Sequence, residues 1–132
     1  MKYFTMQELW KSETARKNGI DNSPNEEVKK NLEKLVINIL DPLRENYGYP
    51  IHISSGYRCP ELNKRVGGTK TSQHLVGRAA DICMHDRAIH RKIFNMIQEL
   101  NLPFDQLIWE NHGAWVHVSY DENRNRRMIL YK

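Results

Sequence analysis

Residues 71–81 have the sequence Thr71-Ser72-Gln73-His74-Leu75-Val76-Gly77-Arg78-Ala79-Ala80-Asp81. Within this stretch an imidazole, His74, and a carboxylate, Asp81, are separated by a glycine and two alanines. That order predicts a loop that supplies one metal ligand and a following strand that supplies the next. The two residues are not yet a site, because zinc in a catalytic site needs three protein ligands and a fourth position open to water.

A third ligand is predicted in a strand near the C-terminal end of the chain. There His117 alternates with Val116 and Val118, which places its imidazole on the opposite face of the strand from two apolar side chains. His74, Asp81 and His117 together provide two neutral nitrogens and one carboxylate, a set that suits a borderline divalent ion such as zinc. We therefore predict one Zn²⁺ ion, with a position left for water.

The remaining sequence predicts an α+β fold, in which about three helices flank a small antiparallel sheet that carries the zinc site. Helical patterns cover residues 5–18, a stretch from a cap at Ser23 to a break at Tyr47, one or two turns at 61–66, and residues 87–101. Strand patterns cover residues 51–54, 79–84, 106–110, 115–120 and 127–131. The last three strands are predicted to form a meander.

Capping residues predict where the helices begin. Thr5 can cap the first helix. Ser23 can cap the second, since Pro24 suits the first helical position and Glu26 can complete a capping box. Asp86 can cap the last helix.

The other histidines and the cysteines are predicted to lie outside the site. His52 is expected at the surface or half-buried on its strand, and His85 and His90 are expected to be exposed at the start and on the polar flank of the last helix. Cys59 and Cys83 are expected to be free thiols, because nothing in their spacing requires a disulfide.

Composition excludes several classes of protein. A chain of 132 residues with 39% hydrophobic content can bury its own core, and no apolar run approaches the roughly 18 residues of a membrane span. The net charge of +4 is spread along the chain and selects no partner. Arg124, Arg126 and Arg127 lie in an asparagine-rich segment that predicts a solvated loop rather than a nucleic-acid site. We expect a soluble monomer without a membrane or nucleic-acid partner.

Two motifs carry a resemblance to a known family. Ser72-x-His74-x-x-Gly77-x-Ala79-x-Asp81, followed by Trp115-Val116-His117, resembles the signature of the zinc D-alanyl-D-alanine peptidases, which cleave peptidoglycan and share a fold with the hedgehog signalling domain and lysostaphin-type enzymes. The likeness includes Ser55-Gly56-Tyr57-Arg58 and Phe104-Asp105-Gln106-Leu107-Ile108. It therefore spans most of the chain from the first helix onward.

The resemblance implies roles for individual residues. His74, Asp81 and His117 match the zinc ligands of the family. Arg58 matches an arginine that holds the substrate carboxylate, which a planar guanidinium can grip with two hydrogen bonds; the alternative is a salt bridge to a surface acid. Ser72, in the same motif, is assigned with Arg58 to substrate binding.

The general base is where this sequence departs from the family pattern. Many relatives carry an acid in a Glu-x-x-Trp-His arrangement, whereas residues 111–116 contain no acid. Some carboxypeptidases of the family use a histidine five positions before the last ligand, and His112 stands at that position. Glu110, at the end of the preceding strand, is the other candidate. Both stay open, with Glu110 favoured as base and His112 as oxyanion stabiliser or proton donor.

The resemblance implies a zinc metallopeptidase that hydrolyses peptidoglycan stem peptides, as a D-Ala-D-Ala-type carboxypeptidase. One alternative is an endopeptidase of the phage-lysin type. Another is a non-catalytic, zinc-stabilised wall-binding domain, in which Cys83 would complete a closed set of four ligands. We expect a single zinc peptidase domain over residues 1–132, with N-terminal helices in 1–47 and a catalytic core in 48–132.

The N-terminal segment predicts the location of the protein. Residues 1–10 lack the apolar core of a secretory signal. We expect a protein that stays in the cytoplasm until it is released, as a phage or prophage product that acts on the cell wall would do.

Overall fold

A computed structural model describes all 132 residues. It has five α-helices: α1 (Glu13–Lys17), α2 (Glu26–Leu35), α3 (Asp41–Tyr47), α4 (Pro60–Arg65) and α5 (Arg87–Glu99). Its five strands are β1 (Ile53–Ser55), β2 (Ala79–Ile82), β3 (Gln106–Glu110), β4 (Trp115–Ser119) and β5 (Met128–Tyr131). The predicted α+β class is confirmed. No helix has the length and apolar character needed to cross a membrane.

The strands form one sheet in the order β1-β2-β4-β3-β5. The pairs β1–β2, β2–β4 and β4–β3 are antiparallel, as predicted, but β5 pairs parallel with β3. The predicted meander of the last three strands is therefore wrong at its last step. After β4 the chain crosses to the far side of β3, where the backbone N–H groups of Arg127 and Met128 donate to the carbonyls of Phe104 and Asp105.

The two faces of the sheet have different roles. One packs on a cluster of 21 buried apolar residues that extends from Phe4 to Val118 and includes Val116, Val118, Leu107 and Ile82. Because side chains alternate along a strand, Asp81, His117 and Glu110 lie on the opposite face. That face is free to form a site.

The first predicted helix is interrupted in the structure. A 3-10 turn at Gln7–Leu9 is followed by α1, which begins after Ser12. The Ser12 hydroxyl accepts from the backbone N–H of Ala15 and so starts a new helix. The carbonyl of Leu9 accepts from Tyr57 N–H at 2.7 Å, which ties this segment to the loop after β1 and diverts it from a continuous helix.

The second predicted helix starts later than its capping signal indicated, and it contains a π-helical segment between two α-helical ones. Asn25, not Ser23, is the N-cap of α2, and its side chain accepts from Val28 N–H at 2.9 Å. Ser23 instead donates its hydroxyl to Asp21. A wider π-type turn at Val36–Leu40 joins α2 to α3, just before Pro42, which has no N–H to offer a regular helix.

His52 is exposed, in agreement with its predicted surface position. His90 is predicted to be exposed, and this prediction is wrong. His90 is 1% exposed on α5. Its Nδ1 lies 2.7 Å from the carbonyl of Gly113, and its Nε2 accepts from Met84 N–H at 2.8 Å. The two hydrogen bonds join α5 to the chain after β2 and to the β3–β4 turn.

Candidate active site

The three residues predicted as ligands come together in the fold. His74 lies in a 3-10 turn, Gln73–Val76, while Asp81 and His117 are register partners on β2 and β4. One potential ligand atom from each residue lies within 4.8 Å of the other two, and all three residues are buried. The sheet register brings Asp81 and His117 together, and the turn adds His74 above them.

The hydrogen bonds of His74 leave one nitrogen free to bind a cation. Its Nδ1 lies 2.6 Å from the carbonyl of Gly56, and because a carbonyl only accepts, Nδ1 carries the proton. Nε2 then holds a lone pair; it is buried without a hydrogen-bond partner and lies 3.3 Å from Oδ1 of Asp81. Two buried acceptors that face each other are unfavourable unless a proton on Nε2 or a metal cation lies between them. The donor set therefore fits a zinc ion.

Asp81 is anionic in this environment. Burial opposes its ionisation, but the His74 and His117 imidazoles, when protonated, outweigh that effect through charge and hydrogen bonding and hold the pKa of Asp81 well below its usual range. His117 Nδ1 lies 3.1 Å from Oδ1 of the carboxylate. Asp81 can therefore act as a charged ligand at neutral pH.

Close packing against α2 fixes the turn that carries His74. Gly77 has φ +74°, and a Cβ at this position would lie 2.8 Å from both Cγ1 and the carbonyl oxygen of Val28. Asn31 on the same helix donates to the carbonyl of Val76 at 2.8 Å. Only glycine meets both the backbone and the packing requirement.

Ser72 lies at the start of the same turn. Its hydroxyl accepts from the backbone N–H of His74 at 3.2 Å, and the residue also lines the cleft above the ligands. The contact gives Ser72 a local role in holding His74, beside the predicted role in substrate binding.

Arg58 lies beside the three ligands and is held in one orientation. Nε donates to the Ser55 hydroxyl at 3.1 Å, Nη1 donates to Oδ1 of Asn63 at 3.0 Å, and Nη2 is 3.6 Å from Oδ2 of Asp81. The side chain is 14% exposed. Burial lowers the pKa of Arg58, while the charges of Asp81 and Glu110 act in the opposite direction. The guanidinium therefore faces an interior carboxylate, not the surface acid of the alternative interpretation.

A cleft of about 690 Å³ opens over the ligand face of the sheet. Arg58, all three ligands and Glu110 line it. Glu110 ends β3 opposite Trp115, two residues along from the pairing of Ile108 with His117. The strand register therefore puts the Glu110 carboxylate on the same face as His117.

His112 lies elsewhere. It is exposed in the Asn111–Gly113 turn with φ 56°, and its carbonyl accepts from Arg87 Nε at 2.8 Å. It does not line the cleft. The structure brings Glu110 together with the predicted ligands and leaves His112 outside them.

Sequence reasoning missed a polar network along one edge of the cleft. Asp105 is fully buried and accepts from Arg126 Nε at 2.8 Å, Arg126 Nη2 at 3.0 Å and Gln73 Nε2 at 2.9 Å. Burial would raise the pKa of Asp105, but the bonds from Arg126 and Gln73 lower it. Asp105 falls in a stretch that carries the family resemblance, but its partners are distant in sequence, so no local signal could identify them.

The cysteines are free thiols, as predicted. Cys83 Sγ lies 3.5 Å from the carbonyl of Ala114 and 3.7 Å from Nδ1 of His85, and it is not part of the ligand cluster. Cys59 caps α4 by accepting from Leu62 N–H at 3.5 Å.

Comparison with known proteins agrees with this geometry. The family model described as Peptidase M15 matches residues 2–119. The match covers most of the chain, and the protein belongs to this family of zinc-dependent metallopeptidases, which act on peptide substrates. No curated protein matches the chain.

Proposed function

We propose that this M15 peptidase hydrolyses peptidoglycan stem peptides as a carboxypeptidase that releases a D-amino acid. The observation that carries the proposal is the position of Arg58. Its half-buried guanidinium opens into the same cleft as the three predicted ligands. It is held by hydrogen bonds to Ser55 and Asn63 and lies 3.6 Å from the Asp81 carboxylate. A cation fixed beside a metal site suits the terminal carboxylate of a peptide.

The residues that would hold zinc are His74 through Nε2, Asp81 through its carboxylate and His117 through an imidazole nitrogen. When bound, zinc supplies a Lewis acid that polarises the scissile carbonyl and lowers the pKa of water to about 7.

Glu110 is the proposed general base. Its carboxylate accepts a proton from the attacking water and returns it to the nitrogen of the departing amino acid. Its place in the cleft lining and its electrostatic effect on Arg58 support this assignment. The exposed position of His112 favours Glu110 over that residue, and leaves His112 the lesser proposed role of stabilising the oxyanion or donating a proton.

A mass-spectrometric digest of purified muropeptides tests the proposal. The zinc-loaded protein should release the terminal D-amino acid, and Glu110→Gln should lower kcat by about 10²- to 10⁴-fold. Glu99→Gln makes the same chemical change at an exposed position on α5, outside the cleft, and serves as the matched control; it should change kcat by less than about threefold. Unchanged muropeptides, or equal digestion by His117→Ala, would contradict a zinc peptidase.

A second cavity next to the main cleft favours the endopeptidase alternative. The same digest can test for that activity. This cavity of about 360 Å³ shares Arg58, Gly68 and Asp81 with the main cleft and extends to Ser12 and Thr14. A peptide that continued past Arg58 would have room there. Internal fragments in place of a free amino acid would identify that activity.

The non-catalytic alternative has less support. It requires a fourth protein ligand, and Cys83, the predicted one, bonds to the backbone of the β3–β4 turn instead of joining the cluster. A cluster of three ligands at the base of an open cleft suits a catalytic site better than a closed structural one.

A further inference from the structure

The cleft has a second cationic region, separate from Arg58. Arg124, Arg126 and Lys132 also line it. Arg58 contacts Ser55 on β1 and Asp81 on β2, whereas Asp105, the partner of Arg126, directly precedes β3. Since the sheet order is β1-β2-β4-β3-β5, the ligand-bearing strands β2 and β4 separate the two cationic regions.

Within this region, Arg124 keeps a positive charge that no carboxylate fully neutralises. Asp105 accepts from Nε and Nη2 of Arg126, and also from the Arg126 backbone N–H and from Gln73 Nε2. Arg124 Nη2 is 3.9 Å from the same carboxylate, beyond hydrogen-bond distance, and the side chain is 57% exposed. One buried carboxylate thus faces two guanidinium groups, and the outer one remains available to a ligand.

Gln73 adds an unsatisfied acceptor next to this charge. Its Nε2 donates to Oδ2 of Asp105, and because a carboxylate only accepts, the orientation of the amide is determined. Oε1 is then buried without a hydrogen-bond partner. Buried acceptors are normally paired. Because Gln73 lines the cleft, a shift of its side chain toward the cleft would let a substrate N–H satisfy this one.

We infer that Arg124 and Gln73 form a subsite for an acidic residue on the acyl side of the scissile bond. Arg124 binds the free carboxylate, and Gln73 Oε1 accepts a backbone N–H. The inference rests on the proposed function, because Arg58 must hold the leaving residue for the acyl part to extend from β2 and β4 toward Arg124. The preferred substrates are then stem peptides whose side-chain carboxyl groups are free rather than amidated.

Two synthetic stem peptides test the subsite: they are identical except that the carboxyl groups on the acyl side are free in one and amidated in the other. The wild-type protein should favour the free acid by about three- to tenfold in kcat/KM, mainly through KM, as expected for one partly exposed ion pair. Arg124→Gln should abolish the preference. Lys30→Gln makes the same change of charge at an exposed position on α2, outside the cleft, and should retain the preference.

Isothermal titration of the same peptides into the metal-free protein separates this inference from the proposed function. If neither peptide is hydrolysed but the free acid still binds more tightly to wild type than to Arg124→Gln, the function fails and the subsite stands. If both peptides are hydrolysed and bound equally well, or if Arg124→Gln keeps the preference, the subsite is wrong.

Discussion

Arg58 shows how strongly neighbours determine the behaviour of a single side chain in this site. A long cationic chain has many rotamers, and ordering it costs conformational entropy. Here Ser55 and Asn63 hold the guanidinium through two hydrogen bonds, and Asn63 is itself fixed by donating to the carbonyl of Thr69 at 2.9 Å. The cost of ordering is met during folding, so that the group is in place before a ligand arrives.

Gly68 tests this arrangement. A Cβ there would lie 2.0 Å from Oδ1 of Asn63 and 2.7 Å from Nη1 of Arg58. We expect Gly68→Ala to displace both groups and raise KM by about tenfold, equivalent to about 1.4 kcal/mol of binding. Steady-state kinetics on a peptide with a free terminal carboxylate measure the effect.

Gly48 provides the control. It is the C-cap of α3, outside the cleft, with φ +84°, and no atom lies within 4 Å of a Cβ built on it. Gly48→Ala should therefore cost about 1 to 2 kcal/mol of stability through backbone strain while leaving KM unchanged. If both substitutions raised KM equally, close packing at Gly68 would not explain the orientation of Arg58.

The candidate metal ligands could be proposed from sequence because each lies in a short motif with a local signature. The structure brings the three together, as the motifs indicated. His90 could not be predicted in this way. Its position flanks the apolar stripe of α5, which indicated exposure, and it is buried only by contacts with Met84 and Gly113 that depend on the complete fold.

Among the secondary-structure elements, the β3–β4 hairpin depends most on such contacts. It carries both Glu110 and His117, and its turn contains positive φ angles at Asn111 and His112. His90 on α5 anchors the turn through the carbonyl of Gly113. We infer that this helix holds the hairpin in the conformation that places Glu110 in the cleft.

Replacement of His90 by leucine tests this anchor. His90→Leu leaves the Gly113 carbonyl and the Met84 N–H without partners, and each buried unpaired group costs about 1 to 3 kcal/mol. We expect Tm to fall by roughly 10 °C and kcat to fall at temperatures where the variant is still folded. Thermal unfolding followed by circular dichroism, and kinetics at 20 °C or below, measure the two effects.

His52→Leu is the matched control for that substitution. His52 is exposed, and its side chain makes one hydrogen-bond contact, at 3.2 Å to the carbonyl of Cys83. Tm should change by less than about 3 °C, as for most surface substitutions. Equal effects of the two substitutions would show that the His90 contacts do not stabilise the hairpin.

Sequence periodicity predicted most helices and strands but not how they join. Asp86 caps α5 as expected, by accepting from Ile89 N–H. The break of the first helix at Ser12, the π-type turn before Pro42 and the parallel pairing of β5 were not predicted. Each depends on a partner distant in sequence or on competition between local hydrogen bonds, which periodicity does not measure.

At the scale of the whole molecule, the ligand cluster exists only when the sheet and the His74 turn have assembled. Asp81 and His117 meet through the pairing of β2 with β4, and the turn that carries His74 is held against α2 through Gly77 and Asn31. An unfolded chain presents the same side chains far apart. A metal ion should therefore bind the folded protein far more tightly than the unfolded one.

This coupling predicts that zinc stabilises the protein. At a free concentration of about 100 times Kd, zinc should stabilise the folded state by about 2.7 kcal/mol, which corresponds to a rise in Tm of roughly 10 °C for a chain of this size. Differential scanning calorimetry with and without zinc measures the shift, and a chelator should reverse it. His74→Ala should remove the zinc response, because two ligands do not complete the site, whereas His52→Leu should retain it. A rise of the same size in His74→Ala would show that zinc stabilises the protein at some other position, and the assignment of His74 as a ligand would then fail.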